Sequence, residues 1–365
     1  MKCSIEKKDL QEAVKDIRKV VGKASHFFLE TNPDKETLSI IVSSGDEFES
    51  YINKEISAKK IKKGKLVLSE EVIDSILPLT GSNFYFNFSD DILKIKANIE
   101  AERFPEDLKF CKKPKIKGSS LKIPSKKVGI LRKLLDNINF NILYSEVELS
   151  GIPIVIENNK EGLFLKLADT SHCVFYKTKR LVKKDFQIIT NLENLKAIFS
   201  LLRSEVQLTI TEALIFIEGK DILATIPTLQ TGMQPIIMAD KLITKDKAFK
   251  EKVKFNIDDF KNFISDMGSV NIKQKGPYLK IHINGNKIKV VSKSTIGGNK
   301  GEFDCKSNIK DLKTKIPLRL FTDLINSCSI GEEVTLQFHK DVKTYKMNVI
   351  KKNLSIKCLA PTLAN

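Results

Sequence analysis

Met1–Val21, MKCSIEKKDLQEAVKDIRKVV, reads as a short strand running into an amphipathic helix. Leu10, Ala13, Val14, Ile17, Val20 and Val21 recur at spacings of three and four, so they form one apolar stripe on a 3.6-residue period. The same opening returns twice. SSLKIPSKKVGILRKLLDNI (119–138) repeats strand then helix, with Pro124 near the helix start, where proline is tolerated. VKFNIDDFKNFISDM (253–267) repeats it again.

Each opening leads into the same succession: several strands, a second short helix, then closing strands. In the first unit, strand-like stretches at Leu38–Val42 and around Phe48–Ile56 lead to GKLVLSEEVIDSILPL (64–79), a strand entering a helix. Ser69 is its expected N-cap, with Glu70 and Glu71 in the first turn. The unit closes on a hairpin within 83–104, alternating with period two about Ser89–Asp91. The second unit has strands about a turn at Asn158–Gly162, strand then helix in DFQIITNLENLKAIFSLL (185–202), and a closing hairpin in 206–226. The third has a hairpin turning at Asn284-Gly285, a second helix in IPLRLFTDLINSC (316–328), and closing strands to Pro361. The expected fold is α+β: three similar domains, each with two helices packed on antiparallel sheets. The expected boundaries are 1–118, 119–245 and 246–365, with linkers at Lys109–Ser120 and Leu242–Lys252. The 365 residues divide into units of about 120, a common domain size.

Composition narrows the function. Hydrophobic residues at 41% and charged residues at 29% exclude a disordered or fibrous chain. The 62 Lys+Arg against 45 Asp+Glu give +17, which favours a polyanionic partner, nucleic acid or an anionic surface. Only six of the cations are Arg, and that argues against base-by-base reading, because the bidentate fork on guanine belongs mainly to Arg. A lysine-rich chain encoded by an AT-rich genome is the competing account. The excess is uneven: residues 246–365 hold 23 basic and 12 acidic residues, a surplus of +11.

Cys3, Cys111, Cys173, Cys305, Cys328 and Cys358 are far apart with no C-x-x-C pair, the pattern of free thiols in a reducing compartment. His26, His172, His282 and His339 are equally scattered, so no metal site is expected. The N-terminus lacks a signal peptide's apolar core, and no apolar run approaches the ~20 residues of a membrane span. The expectation is a cytoplasmic protein with no membrane contact. Phosphate-loop, dinucleotide, zinc-protease and nucleophile-elbow motifs are absent. No enzyme activity and no cofactor are expected; an active site assembled across domains is the weaker alternative.

The order of elements and several strings resemble a known family over nearly the whole chain: the bacterial DNA sliding clamp, the β subunit of the replicative DNA polymerase III. The opening 1–21 resembles that family's first strand and helix. GKLVLSEEVIDSILPL with the later AERFPEDL (101–108) resembles the end of its first domain, Phe104-Pro105 being the most specific pair. GNKGEFDCKSN (298–308), EEVTLQF (332–338) and LSIKCLAP (354–361) are similar to its last domain. The second domain departs from the pattern. Where the family has a threonine–aspartate–glycine–histidine–arginine turn, Ala168–Cys173 reads ADTSHC, and only His172 keeps its type. At GMQPIIMAD (232–240) the family's second phenylalanine–proline turn is missing. Such divergence suits a phage-encoded or otherwise unusual member.

The resemblance implies a polymerase processivity factor: a head-to-tail homodimeric ring of six domains that encircles double-stranded DNA without sequence preference and tethers the polymerase. Helices would line the hole. The matching cations are Lys7, Lys8, Lys15, Arg18, Lys19 and Lys23 on the first helix, and Lys126, Lys127, Arg132 and Lys133 on the second unit's. Lys196 and Arg203, then Lys261 and Arg319, complete the set. An ordinary solvated helix face explains any single lysine equally well, and Glu12 and Asp16 interrupt the first stripe. The resemblance further implies a cleft for peptide tails of the polymerase and clamp loader. Its positions fall at Leu149, at Thr170, Ser171, His172 and Val174, and at Cys358, Leu359, Ala360, Pro361 and Thr362. The alternative is that Leu149 and Leu359 are strand core. A clamp-like nucleic-acid-binding or transcription factor that does not encircle DNA remains the other reading of the whole.

Overall fold

The computed structural model describes residues 1–44, 50–101, 114–138, 152–263, 278–318 and 333–361, together with 321, 322 and 325. Within those ranges 23, 90–91, 96–98, 115, 117, 169–171, 230–233, 244–247, 295–296, 340–343 and 352–353 are not described. The chain forms two compact units, Met1–Leu135 with Thr190–Thr228, and Asp136–Ile189 with Leu229–Asn365.

The first unit holds two sheets. One has the order β5 (Lys59–Lys62), β1 (Lys2–Glu6), β7 (Asn83–Ser89), β8 (Ile92–Ile95), β9 (Ile99–Ala101). The other has eight strands: β10 (Ser119–Ile123), β15 (Val206–Ile210), β16 (Leu214–Glu218), β17 (Ile222–Pro227), β4 (Ser50–Ser57), β3 (Thr37–Ser44), β2 (His26–Asn32), β6 (Gly64–Ser69). Its middle joint is the antiparallel pair β17–β4, with Thr225 opposite Tyr51. There Thr225 Oγ1 accepts from the Tyr51 amide at 3.0 Å.

Helix α1 (Lys7–Val21) buries Leu10, Ala13, Val14, Ile17 and Val20, the stripe read from sequence, against β4 and β3. It ends at Gly22, whose φ of +69° is the left-handed geometry that glycine tolerates, with its amide on the Arg18 carbonyl. In α2 (Glu70–Ile76) Ser69 caps as expected, accepting from the Val72 amide at 3.3 Å. Helix α4 (Leu192–Leu201) is capped by Asn191, which accepts from the amides of Glu193 and Asn194. It lies beside α1 and packs on β17. Helix α3 (Ser125–Asp136) buries Val128, Leu131 and Leu135 and begins just after Pro124.

The second unit holds a nine-stranded sheet: β14 (Phe186–Asn191), β11 (Pro153–Asn159), β12 (Gly162–Ala168), β13 (Cys173–Thr178), β26 (Leu354–Pro361), β25 (Thr344–Lys351), β24 (Glu333–Phe338), β18 (Glu251–Asn256), β22 (Lys306–Ser307). A four-stranded sheet has the order β21 (Gly297–Asp304), β20 (Lys287–Ser294), β19 (Tyr278–Asn284), β23 (Asp311–Pro317). Residues 257–263 are helical. Phe260 there is fully buried, with ring centroids 4.6 Å from Phe255, 4.7 Å from Phe303 and 5.6 Å from Phe321. Helix α5 (Gln234–Ile243) lies over β12, β13 and β26.

Several details differ from the sequence reading. Strand β2 has no period-two signal in the sequence. HFFLETN starts with Phe27, Phe28 and Leu29 all buried, so it lacks the alternation of a half-exposed strand. Residues 206–226 form three strands rather than a hairpin, and the 284–287 turn is centred on Gly285 and Asn286. Helix α5 occupies the expected linker's first residues, Leu242 and Ile243. Cys3, Cys173, Cys305 and Cys358 are buried free thiols. Cys111, Cys328 and the Phe104-Pro105 pair lie outside the described residues.

Candidate nucleic-acid interface and peptide groove

The solvent face of α1 presents Lys8, Lys15 and Lys19, but two of them have acidic neighbours, Lys8 with Glu12 at 3.9 Å and Lys19 with Asp16 at 3.5 Å. Such exposed pairs contribute little to stability and leave the cations accessible. Two other candidates turn inward. Lys7 donates to the Leu79 carbonyl at 2.6 Å. Arg18 reaches α2, pairing with Asp74 at 2.6 Å and Glu70 at 3.2 Å while its guanidinium lies over Phe27. The acidic start of α2 is therefore the socket for Arg18.

On α3, Lys126 and Lys133 are exposed and Lys127 is half-buried; Arg132 donates to the Leu202 carbonyl at 3.2 Å, just past α4. Arg203 is exposed and donates to the Ser200 carbonyl, a C-terminal cap for α4. Lys196 and Lys261 are half-buried on their helices. Lys23 and Arg319 lie outside the described residues. The solvent-facing cations are thus Lys8, Lys15, Lys19, Lys126, Lys133 and Arg203.

The peptide-cleft positions meet where β13 pairs with β26: Cys173 lies opposite Leu359, and Val174 opposite Cys358. Side chains alternate across a strand, which divides the set between two faces. Leu359 faces α5 in one cluster with Cys173, Phe175, Ile236, Ala239, Ile243 and Phe249. Val174 and Cys358 point to the opposite face. His172, Val174, Cys358, Leu359 and Ala360 are all buried, so the described members form packed core. Leu149, Thr170, Ser171 and Thr362 lie outside the described residues, as does the side chain of Pro361.

Helix α5 is the wall that sequence reasoning missed. Its inner residues Ile236, Ala239 and Ile243 are buried, whereas Ile237, Met238 and Leu242 are exposed, Met238 by 57%. With apolar residues on both faces it has no single stripe to detect. Two lysines fasten it. Lys346 on β25 is fully buried and donates to the Ile243 carbonyl at 3.0 Å, at the helix's negative end, beside the Phe249 ring. Lys166 on β12 bridges Glu157 at 3.0 Å and Asp240 of α5 at 3.2 Å, flanked by the rings of Phe164 and Phe175. A cavity of about 370 Å³ opens beside this triad, with Lys177 and Lys357 on its lining.

Burial pulls the Lys166 ammonium down, but hydrogen bonds to Glu157 and Asp240 outweigh it, leaving its pKa above the ordinary 10.5. Burial pushes Glu157 up, but hydrogen bonds from Lys166 and Asn159 outweigh it, leaving its pKa below the ordinary 4.5. The stabilisation from Glu157 is complete above its ordinary value and is lost as pH falls through the lowered one. That from Lys166 is complete below 10.5 and is lost as pH rises through the raised value. Lys166→Met should therefore lower stability at pH 7 by about 1–2 kcal/mol, and the gap to wild type should shrink on acidification below about pH 4.5. Urea midpoints across pH 3–7 check this; a gap independent of pH would contradict the bridge.

Among the described residues no cluster of three or more His, Cys, Asp or Glu is placed to hold a metal ion. Nor, among them, is any helix long and apolar enough to cross a membrane.

No protein-family model matches the sequence. No curated protein matches it either. Solved structures do match, from end to end. The DNA polymerase III subunit beta of Pseudomonas aeruginosa aligns over 100% of both chains at 12% identity with a TM-score of 0.79. The Thermotoga maritima DNA polymerase III beta subunit aligns over 100% of this chain and 99% of its own at 13% identity, also with a TM-score of 0.79. The Helicobacter pylori beta clamp bound to a DNA ligase peptide aligns over 100% of both at 18% identity and 0.76. Two half-length sheets, two long ones, paired helices in the first unit and this full-length superposition together give the chain the fold of the bacterial DNA polymerase III β sliding clamps.

Proposed function

We propose that this protein is a DNA sliding clamp, a polymerase processivity factor that joins a second copy head to tail in a ring around duplex DNA. It acts by topology, with no chemical step, in the cytoplasm. The observation that carries the reading is the match to clamps along the whole of both chains. The three sequence repeats, at 1–118, 119–245 and 246–365, are then the three domains that each protomer contributes.

The sheets support a closed dimer. The two long sheets have eight and nine strands, whereas the short ones have five and four. A five-stranded edge joined to a four-stranded edge would make a third sheet of nine. Lysines and irregularity protect β5, where Lys60 has a φ of +53° and the register slips between Lys2 and Ser4. On the other short sheet, β23 carries Lys313 and Lys315 and ends at Pro317. The remaining outer strands of the two short sheets are β9 and β21, and their pairing would close the ring. Lys8, Lys15, Lys19, Lys126, Lys133 and Arg203 would meet phosphates loosely enough to slide. Peptide tails of a polymerase and a clamp loader would dock beside α5, where the exposed Ile237, Met238 and Leu242 adjoin the β13–β26 pair; the Helicobacter pylori clamp, with its ligase peptide, is the precedent.

Light scattering should give twice the 41.2 kDa chain mass. Protein loaded on nicked circular plasmid should survive gel filtration in high salt and be lost once the plasmid is cut to a linear form. A strict monomer, or equal retention on circular and linear DNA, would exclude the ring.

A further inference from the structure

The basic surplus of residues 246–365 has a place that the ring reading does not use. On the solvent face of the four-stranded sheet, cross-strand register lines up Lys315, Lys280, Val291 and Lys300 in one row. Strands stand about 4.8 Å apart, so the row is roughly 15 Å long. The next row is Lys313, His282, Lys289 and Glu302. Lys280 directly faces Lys315, and His282 stands between Lys289 and Lys313. Like charges placed directly opposite are destabilising, so the Lys280–Lys315 pair carries a repulsion that an anion would relieve.

Carboxylates neutralise only part of the face. Lys289 pairs with Glu302 at 3.3 Å, Lys287 with Asp304 at 2.8 Å, and His282 with Asp311. Lys280, Lys300 and Lys313 have no ion pair among the described residues. The alternate side chains, Leu279, Ile281 and Ile283, are buried, so these lysines cannot turn inward.

We propose that this sheet face is a second, sequence-independent nucleic-acid surface, binding phosphate backbone through Lys280, Lys300 and Lys313. The row offers Val291 as its one apolar member, too little apolar surface to anchor an acidic peptide. It has no Arg fork for base edges. Three ammonium groups without an ion pair among the described residues suit phosphates, read by charge alone. The assignment does not depend on ring closure.

The test uses full-length protein and a fluorescein-labelled 20-nucleotide oligo(dT), with anisotropy read across a KCl series. Replacing Lys280, Lys300 and Lys313 together by Gln should weaken binding roughly 10- to 100-fold at low salt and flatten the log K against log salt slope by about 2. The same variant should melt no lower than wild type, because repulsion has been removed. Unchanged affinity and slope would overturn the proposal. So would poly-glutamate displacing the probe at lower charge concentration than unlabelled DNA. Replacing Lys8, Lys15 and Lys19 by Gln is the comparison: if that variant alone loses oligo(dT) binding, the sheet surface is refuted while the ring reading stands.

Discussion

Phe260→Ala should cost the second unit about 3–5 kcal/mol, the usual penalty for emptying a buried aromatic site. Phe260 is fully buried, and three rings, Phe255, Phe303 and Phe321, lie against it from a strand before it, from β21 and from the later helical residues. None of those neighbours can follow a retreating side chain without leaving its own strand or helix, so the cavity would stay open. The functional consequence reaches further than the core. Phe303 sits on β21, the outer strand proposed to close the ring, and Phe263, one turn past Phe260, also meets it at 5.6 Å. Dimer dissociation should therefore set in at lower urea than unfolding does. Phe260→Leu, which keeps most of the volume, should recover most of both losses. A Phe260→Ala protein within 1 kcal/mol of wild type would mean that the cluster is not a unit.

Gly162→Ala, in the β11–β12 hairpin, should cost about 3 kcal/mol or more. Gly162 has a φ of +144°, a conformation that L side chains rarely adopt, and a Cβ there would stand 2.4 Å from the Thr178 carbonyl oxygen of β13. Backbone strain and a collision with backbone act together, and neither can be relieved by turning a side chain. The hairpin also carries Glu157, a member of the Lys166 triad, and Glu161 on the same cavity, so the same change should weaken the peptide docking proposed beside α5. Gly285→Ala separates the two causes. Its φ is +56°, but nothing lies within 4 Å of the added Cβ, so it should cost only about 1 kcal/mol. Thermal melts of the two variants should differ by several degrees; equal melts would remove the steric part of the argument.

How far the sequence could be read depended on how many faces each element buries. Helix α1 and strand β7 cover one face each, and their periods of 3.6 and 2 are plain in the letters. Strand β2 and helix α5 carry apolar residues on both faces, and neither shows a period. The helix cations can be named from pattern, yet pattern does not show where a long side chain reaches. Lys7 and Arg18 share the lysine-rich helix with Lys15 but are spent on Leu79, Glu70 and Asp74. The peptide positions on β13 and β26 do pair across a wide gap in sequence, and the register shows that they look in two directions. Lys166 and Lys346, which fasten α5, have no local signal, because each finds its partner on that helix more than 70 residues away.

The sheets do not end where the repeats do. Strand β17 lies beyond residue 118 but pairs with β4, and β13 lies before residue 245 but pairs with β26. The middle third of the sequence is thereby shared, some of its strands completing one sheet and the rest another, like courses of brick laid half a brick out of line. Cutting the gene at the repeat boundaries would sever both ladders and bare long hydrogen-bonding edges on every fragment. The compact units are offset from the pieces that look alike, and the strength of the chain lies across its joints.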